Sequence, residues 1–432
     1  MGAGLSGLVM TGGSLPITAR RKEMNLEHLL SDEDKAIRNT VREFVNKEIM
    51  PVRTLIEEDL TLVRAIHQKL VDLGIQEGGY PKEYGGTGPY SYLTLCVITE
   101  ELARGDAGIS QSVGINAGLI LGPAMVVGNT DVLDRWASNF TGDDASFACL
   151  SMTDATGGAD TENPLLHGRG ITTTAYLDGD EYVINGTKSW PTHAGIANVY
   201  LTVCNTDPNL GDEGIALIYT PRKSEGLRFG NPEPKMGFKT AINASIFYDN
   251  VRVPAKYRLA GPGIDAQVYH GAMTGTQWHS AALSLGVAQA ALDIALEYTG
   301  TRKSGGKPVR EWSMAAGILA DMAIRIEMTR AAVYNLSIMM DNPEAYGPPF
   351  TPKMVSRASS TKIFAADTAA WVTNKAVELM GANGISPEYH IEKYLRDAKI
   401  MQIWLGGQQI SRYRVARGYY KYEINGDADG QE

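Results

Sequence analysis

"ELMGANGISPEYHIEKYLRDAKIMQIWLGGQQISRYRVARG", residues 378–418, is the stretch that decides the fold. Its apolar residues recur at helical spacing, interrupted by a glycine turn at Gly381 and again by the Gly406-Gly407 pair; glycine lets a chain turn through left-handed backbone between helices. Leu405 stands immediately before the second break. The segments leading into this stretch, "SAALSLGVAQAALDIALEY", "MAAGILADMAIRIEMTRAAVYNLSIMM" and "SSTKIFAADTAAWVTNKAVELM", have broad apolar faces. They predict a helical bundle with additional subunit contacts.

Upstream the period changes. Between about residues 146 and 254, short β-branched runs alternate with turns: "ITTTAYLDGDEYVING" sets Asp178-Gly179 between two strands, and "VYLTVC", "IALIYTP" and "SIFYDNVRVP" follow. Further upstream, "SDEDKAIRNTVREFVNKEIM" opens on Ser31 as a helix cap, with acids behind it and Ile37, Val41 and Phe44 at helical spacing. The expected organisation is a flexible extension over 1–24, a helical domain over 25–145, an antiparallel β domain over 146–262, a helical bundle over 263–420 and a tail over 421–432.

A length of 432 residues allows two or three domains around large cores. The net charge of -9 comes from interspersed acids and bases, which leaves no electrostatic footprint for nucleic acid or an anionic membrane. Cys96, Cys149 and Cys204 are far apart and flanked by apolar residues, so they read as buried small hydrophobes in a reducing, cytoplasmic setting. The histidines never pair at metal-ligand spacing, and no metal is expected. The run "AGLILGPAMVVG" is shorter than the roughly 18 residues a membrane span needs, so it reads as core. Gly2, Gly4 and Gly7 have dinucleotide-motif spacing, but no strand precedes them and no βαβ unit follows. The extension is also a poor secretory signal, and Met24 offers an alternative start.

Two segments of the β domain bring small residues, hydroxyls and backbone N–H groups to loops: "SMTDATGGAD" (151–160) and "INGTKSWPTHAG" (184–195). Trp190, followed by Pro191 and Thr192, offers a flat wall beside a hydroxyl, a surface on which a planar heterocycle stacks; hairpin packing is the bland alternative. In "TRKSGGKP" (301–308), Arg302, Lys303 and Ser304 with two glycines can approach a pyrophosphate, or form a solvated basic loop.

Residues 378–418 resemble the acyl-CoA dehydrogenase superfamily, whose matching segment runs through a glycine turn, an "EY..EK..RDAKI" stretch and a "YEGT.QIQR" loop. "SMTDATGGAD" is similar to that family's "TEP.AGSD", "INGTKSWPTHAG" to its "I.G.K.WITN.G", and "KMGFKTAINASIFYDNVRVP" to its last β-domain strand, in the family's order over roughly residues 25–420. The resemblance implies an α+β chain with an N-terminal helical domain, a central antiparallel β-barrel or sandwich and a C-terminal four-helix bundle. It also implies a homotetrameric or homodimeric FAD enzyme acting on an acyl-CoA thioester, with electron-transferring flavoprotein as a possible acceptor and no membrane insertion. By resemblance, Thr153, Trp190 and Thr192 would line the flavin. Arg302 and Ser304 would reach FAD from a neighbouring subunit, where Glu378, Gly381 and Gly407 would also contact it. Ala159, Gly305 and Ser313 depart from the family's usual serine, phenylalanine and glutamine.

In the family a glutamate removes the α-proton while a β-hydride goes to the flavin. Here Leu405 occupies the usual glutamate position, and Thr276 and Gln277 stand where some members keep a glutamate and its arginine on the first bundle helix. An arginine left without its carboxylate would be a buried unpaired charge, so the joint replacement reads as a refitted site. The backbone N–H of residue 405 remains available to polarise the thioester carbonyl. His279, three residues beyond Thr276 on the same helical face, and Asp106 are the candidates for a substitute acid or base. Structural alternatives are a hydrogen-bonded helix histidine and a helix-end carboxylate. Three chemistries stay open: an atypical dehydrogenase or enoyl-CoA reductase on an unsaturated or cyclic acyl group, a desulfinase-like lyase that eliminates without α-proton removal, and a flavin oxidase or monooxygenase on a non-CoA substrate. A non-catalytic protein that kept the fold is the fourth possibility.

Overall fold

The computed structural model describes residues 26–421, with only the backbone of Ala117. The extension carrying Gly2, Gly4 and Gly7, and the tail beyond Lys421, lie outside the described residues. Ser31 caps α1 (Asp32–Phe44): its Oγ accepts the Asp34 N–H at 3.0 Å while Asp34 accepts the Ser31 N–H at 3.0 Å. This reciprocal box satisfies two donors that a helix start leaves free. Helices α2 (Leu60–Asp72), α3 (Tyr92–Gly105), α4 (Ala107–Gly114), α5 (Gly122–Val127) and α6 (Thr130–Thr141) complete the N-terminal unit. Almost every residue of α3 is buried, because α1 packs on one side and the C-terminal bundle on the other.

The middle unit is a seven-stranded sheet: β1 (Ala148–Ser151), β2 (Thr174–Asp178), β3 (Glu181–Lys188), β4 (Val199–Asn205), β5 (Ile215–Pro221), β6 (Leu227–Phe229) and β7 (Ile246–Pro254). Asp178 pairs with Glu181 across the expected tight turn, and Gly179 takes a left-handed φ of 66° there. The sheet is mixed where an antiparallel one was expected. β1 runs parallel to β4, and β2 meets β4 in parallel through Thr174 and Asn205. The physical reason is that β4 is buried along its whole length, so it needs partners on both edges, and β5 fills only one of them. Between Ile184 and Gly186 the β3–β7 register slips; a Cβ at Gly186 would fall 2.7 Å from the Thr173 hydroxyl, so only glycine lets these two stretches approach.

The C-terminal unit holds α7 (Ile264–Thr301), the short hairpin β8 (Lys303–Ser304) and β9 (Lys307–Pro308), then α8 (Ser313–Asp341), α9 (Pro352–Met380), α10 (Ile391–Ile403) and α11 (Gly407–Tyr420). α7 is long and apolar enough to cross a membrane, but 83% of its most apolar window is buried inside the fold, against α3, α8, α9 and α10. Its apolar character is therefore accounted for by core packing. Cys96, Cys149 and Cys204 are buried free thiols.

Two buried polar clusters tie the units together, the first joining all three and the second the β domain and the N-terminal unit. Lys393 on α10 reaches Asp106, at the α3–α4 junction, at 2.8 Å and Asp397 at 2.7 Å. Thr240 of the β domain donates to Asp106 at 2.5 Å, and the Phe238 N–H donates to Asp397 at 2.6 Å. In the second cluster His193 Nδ1 bonds the Ala148 carbonyl at 2.8 Å and its Nε2 bonds Ser112 on α4 at 2.7 Å.

Candidate functional site

Where the three units meet, a cavity of about 680 Å³ opens. Its β-domain wall is built by one side-chain anchor and one backbone bond. Lys188, fully buried at the end of β3, pairs with Asp154 at 2.8 Å and donates to the Met152 carbonyl at 2.7 Å. The Ser189 N–H donates to the Thr153 carbonyl at 2.8 Å. These contacts fasten "SMTDA" to "TKSWPT" and set Thr153, Trp190 and Thr192 along one wall. Trp190 is 54% exposed, and Asn243 donates both to its carbonyl and, at 3.2 Å, to the Thr192 hydroxyl.

Opposite lie Leu405 and Gly406 from the turn between α10 and α11, Thr276 and His279 from α7, and Gln111 from α4 with Ile115 just past its end. Both positions expected to carry a glutamate therefore face the same space, and neither side chain is ionisable. Thr276 returns its hydroxyl to the Met273 carbonyl at 3.1 Å. Leu405, Trp190 and Phe238 line the cavity with left-handed φ angles of 55°, 68° and 51°. Non-glycine residues in that region are strained, and such strain gathers at binding sites.

His279 is placed to act but is a poor base. Burial pushes its imidazole down to about 4, and its Nε2 packs so closely on Gly114 that a Cβ there would lie 2.2 Å away. Asp106 does not line the cavity. It caps α4 through the Ile109 N–H at 2.8 Å and is bound to Lys393 and Thr240. Although burial opposes its ionisation, the Lys393 charge holds it below the ordinary carboxylate range. Asp106 is thus engaged at the start of α4, outside the cavity lining.

Arg302 and Ser304 sit on the exposed β8–β9 hairpin, away from this chain's cavity. Glu378 is engaged by Lys375 at 2.6 Å and Asn374 at 2.7 Å near the end of α9. Gly381 is the left-handed residue closing α9, with φ of 60°, and Gly407, with φ of 67°, opens α11 next to the lining residue Gly406.

Sequence reasoning missed Glu162, Arg414, Gln111 and Lys235. Glu162 lies two residues past the segment read as flavin-facing, and it is the one carboxylate among the described residues lining the cavity. Lys235 spends its ammonium on the Phe238 carbonyl at 2.7 Å, on the Ala241 carbonyl and on Asn243; burial pushes it down to about 8. Gln111 Oε1, Glu162 Oε2 and His279 Nε2 are buried polar atoms without a hydrogen-bond partner among the described residues. Unpaired polar atoms on a largely apolar wall, beside a half-exposed indole and two threonine hydroxyls, suit a planar heterocycle and a polar ligand group.

Three family models match the chain: the acyl-CoA dehydrogenase N-terminal domain over residues 31–142, the middle domain over 149–251 and the C-terminal domain over 266–420. The short-chain specific acyl-CoA dehydrogenase of Bos taurus mitochondria is 30% identical over 90% of this chain and 90% of its own length. A probable acyl-CoA dehydrogenase of Mycobacterium bovis is 29% identical over 90% of this chain and 95% of its own. Among solved structures, butyryl-CoA dehydrogenase from Megasphaera elsdenii superposes with a TM-score of 0.80 at 28% identity, over 90% of this chain and 98% of that one. A chain from a study of the electron transferring flavoprotein of Acidaminococcus fermentans superposes with a TM-score of 0.82 at 28% identity, over 91% and 99%.

Proposed function

Since the chain belongs to the acyl-CoA dehydrogenase family, we propose that it is an FAD-dependent oxidoreductase acting on an acyl-CoA thioester, with its proton-accepting group moved away from positions 405 and 276. The observation that carries this reading is the cavity between the β domain and the bundle, which joins the Trp190 and Thr192 wall to the Leu405 turn. Trp190, Thr153 and Thr192 would hold the flavin, and Arg302, Ser304, Glu378 and Gly381 of a second subunit would complete its site. When bound, FAD supplies an acceptor for a hydride from the β carbon of the ester.

The chain's own residues do the rest. The N–H of residue 405 is positioned by the turn in which the Leu405 carbonyl accepts Arg414 at 3.3 Å, and it would donate to the thioester oxygen. Leu150, Met152, Phe238 and Ile400 exclude water from the reacting carbons. Electron transferring flavoprotein is the expected redox partner, and a homotetramer or homodimer the expected assembly.

Anaerobic titration with acyl-CoA and enoyl-CoA esters of graded size tests the reading. The purified protein is expected to be yellow and its flavin absorbance to bleach with a saturated ester. Ester turnover under argon without bleaching would favour the eliminating lyase, which an apolar residue at position 405 suits. A colourless protein that takes up no FAD would overturn the proposal.

A further inference from the structure

We propose that Glu162 is the proton-accepting carboxylate of this cavity, taking the α-proton that neither Leu405 nor Thr276 can accept. This rests on the acyl-CoA reading above. Glu162 lies just beyond the short turn Gly158–Thr161, beside Thr153, Ala159 and the Leu405–Gly406 turn. It is 6% exposed, and its Oε2 has no hydrogen-bond partner. The nearest cation, Arg414 Nη2, is 3.9 Å from Oε2, too far for a hydrogen bond. That guanidinium is committed instead to two carbonyls, Glu162 O at 2.9 Å and Leu405 O at 3.3 Å. Arg414 thus ties the Glu162 backbone to the turn that faces the ester, and leaves Oε2 without a hydrogen bond.

The groups that face Glu162 come from three elements: Arg414 on α11, Lys362 on α9 and Tyr269 on α7, with the Thr153 hydroxyl and Gly406 N–H beside the carboxylate. Burial raises Glu162 to about 7, against the opposing pull of Arg414 and Lys362 and, more weakly, of hydrogen bonding to the carboxylate from the Gly406 N–H and the Thr153 hydroxyl. The ion-pair contact and the upward shift point in opposite directions; at 3.9 Å without a hydrogen bond, burial outweighs the attraction. A carboxylate balanced near neutrality is strong enough to take a proton and still ionised in part, which is what a general base needs. His279, pushed down to about 4, is too weak, and Asp106 is committed to Lys393.

In the reaction the Cα–H bond breaks and its proton passes to Glu162 Oε2. The electron pair left behind would form the Cα–Cβ double bond with loss of a β-hydride, for which FAD, when bound, would be the two-electron acceptor.

An acyl-CoA ester with sulfur at the β position has acidic α-protons but no β-hydride to give, so it reports proton transfer alone. The protein is incubated with this ester in D2O, and α-deuterium is followed by mass spectrometry while ester binding is measured by calorimetry. Wild-type exchange is expected to rise with pH through about 7, and Glu162→Gln to lower it by about a hundredfold or more while ester binding persists. The wild-type pH profile stands even where the variant does not fold. Bound ester without exchange, a profile flat across neutrality, or unchanged exchange in folded Glu162→Gln would each overturn this proposal alone. Failure of wild-type protein to bind any CoA ester would overturn the acyl-CoA reading, and this assignment with it.

Discussion

Glu162 has a cost that pH exposes even without substrate. Its folded value of about 7 lies above the ordinary 4.5, so the folded state holds this proton more tightly than the unfolded chain does. The resulting stability is fully present below 4.5 and is lost as pH rises through about 7. Glu162→Gln has no such proton, so between those limits it should gain about 3 kcal/mol relative to wild type, read from urea unfolding at acidic and mildly alkaline pH. A constant difference between the two proteins would show that Glu162 ionises as an exposed carboxylate does. The same residue marks how far the site was legible in sequence. Leu405, Thr276 and Trp190 follow from motif register, because register fixes which residues replace which. Glu162 does not, because what distinguishes it is a desolvated oxygen beside Leu405, and burial depends on α11 folding back through Arg414.

Among the elements, the turn between α10 and α11 sets the geometry of the ester site. Leu405, Gly406 and Gly407 take φ of 55°, 72° and 67° in succession, and the Gly407 N–H closes the turn onto the Trp404 carbonyl at 3.0 Å. Trp404 fastens it, donating to Ser280 on α7 at 2.8 Å and meeting the Phe238 ring edge-on at 5.1 Å. A Cβ on Gly406 would fall 2.8 Å from the Ile410 Cβ, and left-handed backbone adds its own penalty. Gly406→Ala should therefore lose about 1–3 kcal/mol in thermal unfolding and weaken binding of the β-thia ester, while the spectrum of bound flavin keeps its shape. Equal ester affinity in the variant would sever the turn from the site. Helices and hairpins of this kind were legible because capping at Ser31, the Asp178-Gly179 turn and the apolar periods are local signals. The parallel pairing of β1 with β4 was not, since it joins segments some fifty residues apart, Ala148 to Val199, and no local pattern records it.

For the whole molecule, the cluster of Asp106, Lys393 and Asp397 joins all three units at one buried point. Its members come from the α3–α4 junction and from α10, and the β domain adds Thr240 and the Phe238 N–H. All three side chains are at most 1% exposed, and the one Lys393 ammonium is the cation that both carboxylates contact. Removing the cation leaves two carboxylates without compensation in a low-dielectric interior, a change that costs roughly 3–5 kcal/mol in buried pairs. Lys393→Met should therefore lose that much unfolding free energy, seen as a lower urea midpoint, and split a single unfolding transition into separate steps for the bundle and the remainder. The sign with pH follows from the same groups. Lys393 keeps Asp106 below the ordinary carboxylate range against the pull of burial, and the stability from that shift is present above the unfolded value and lost as pH falls. Burial already raises Asp397 in the intact cluster, and without Lys393 both carboxylates are pushed further up and take protons readily. The gap between Lys393→Met and wild type should thus narrow as the solution is acidified, and a gap that widens instead would contradict the buried-charge account. If Lys393→Met unfolds at the wild-type midpoint, the cluster carries no structural load.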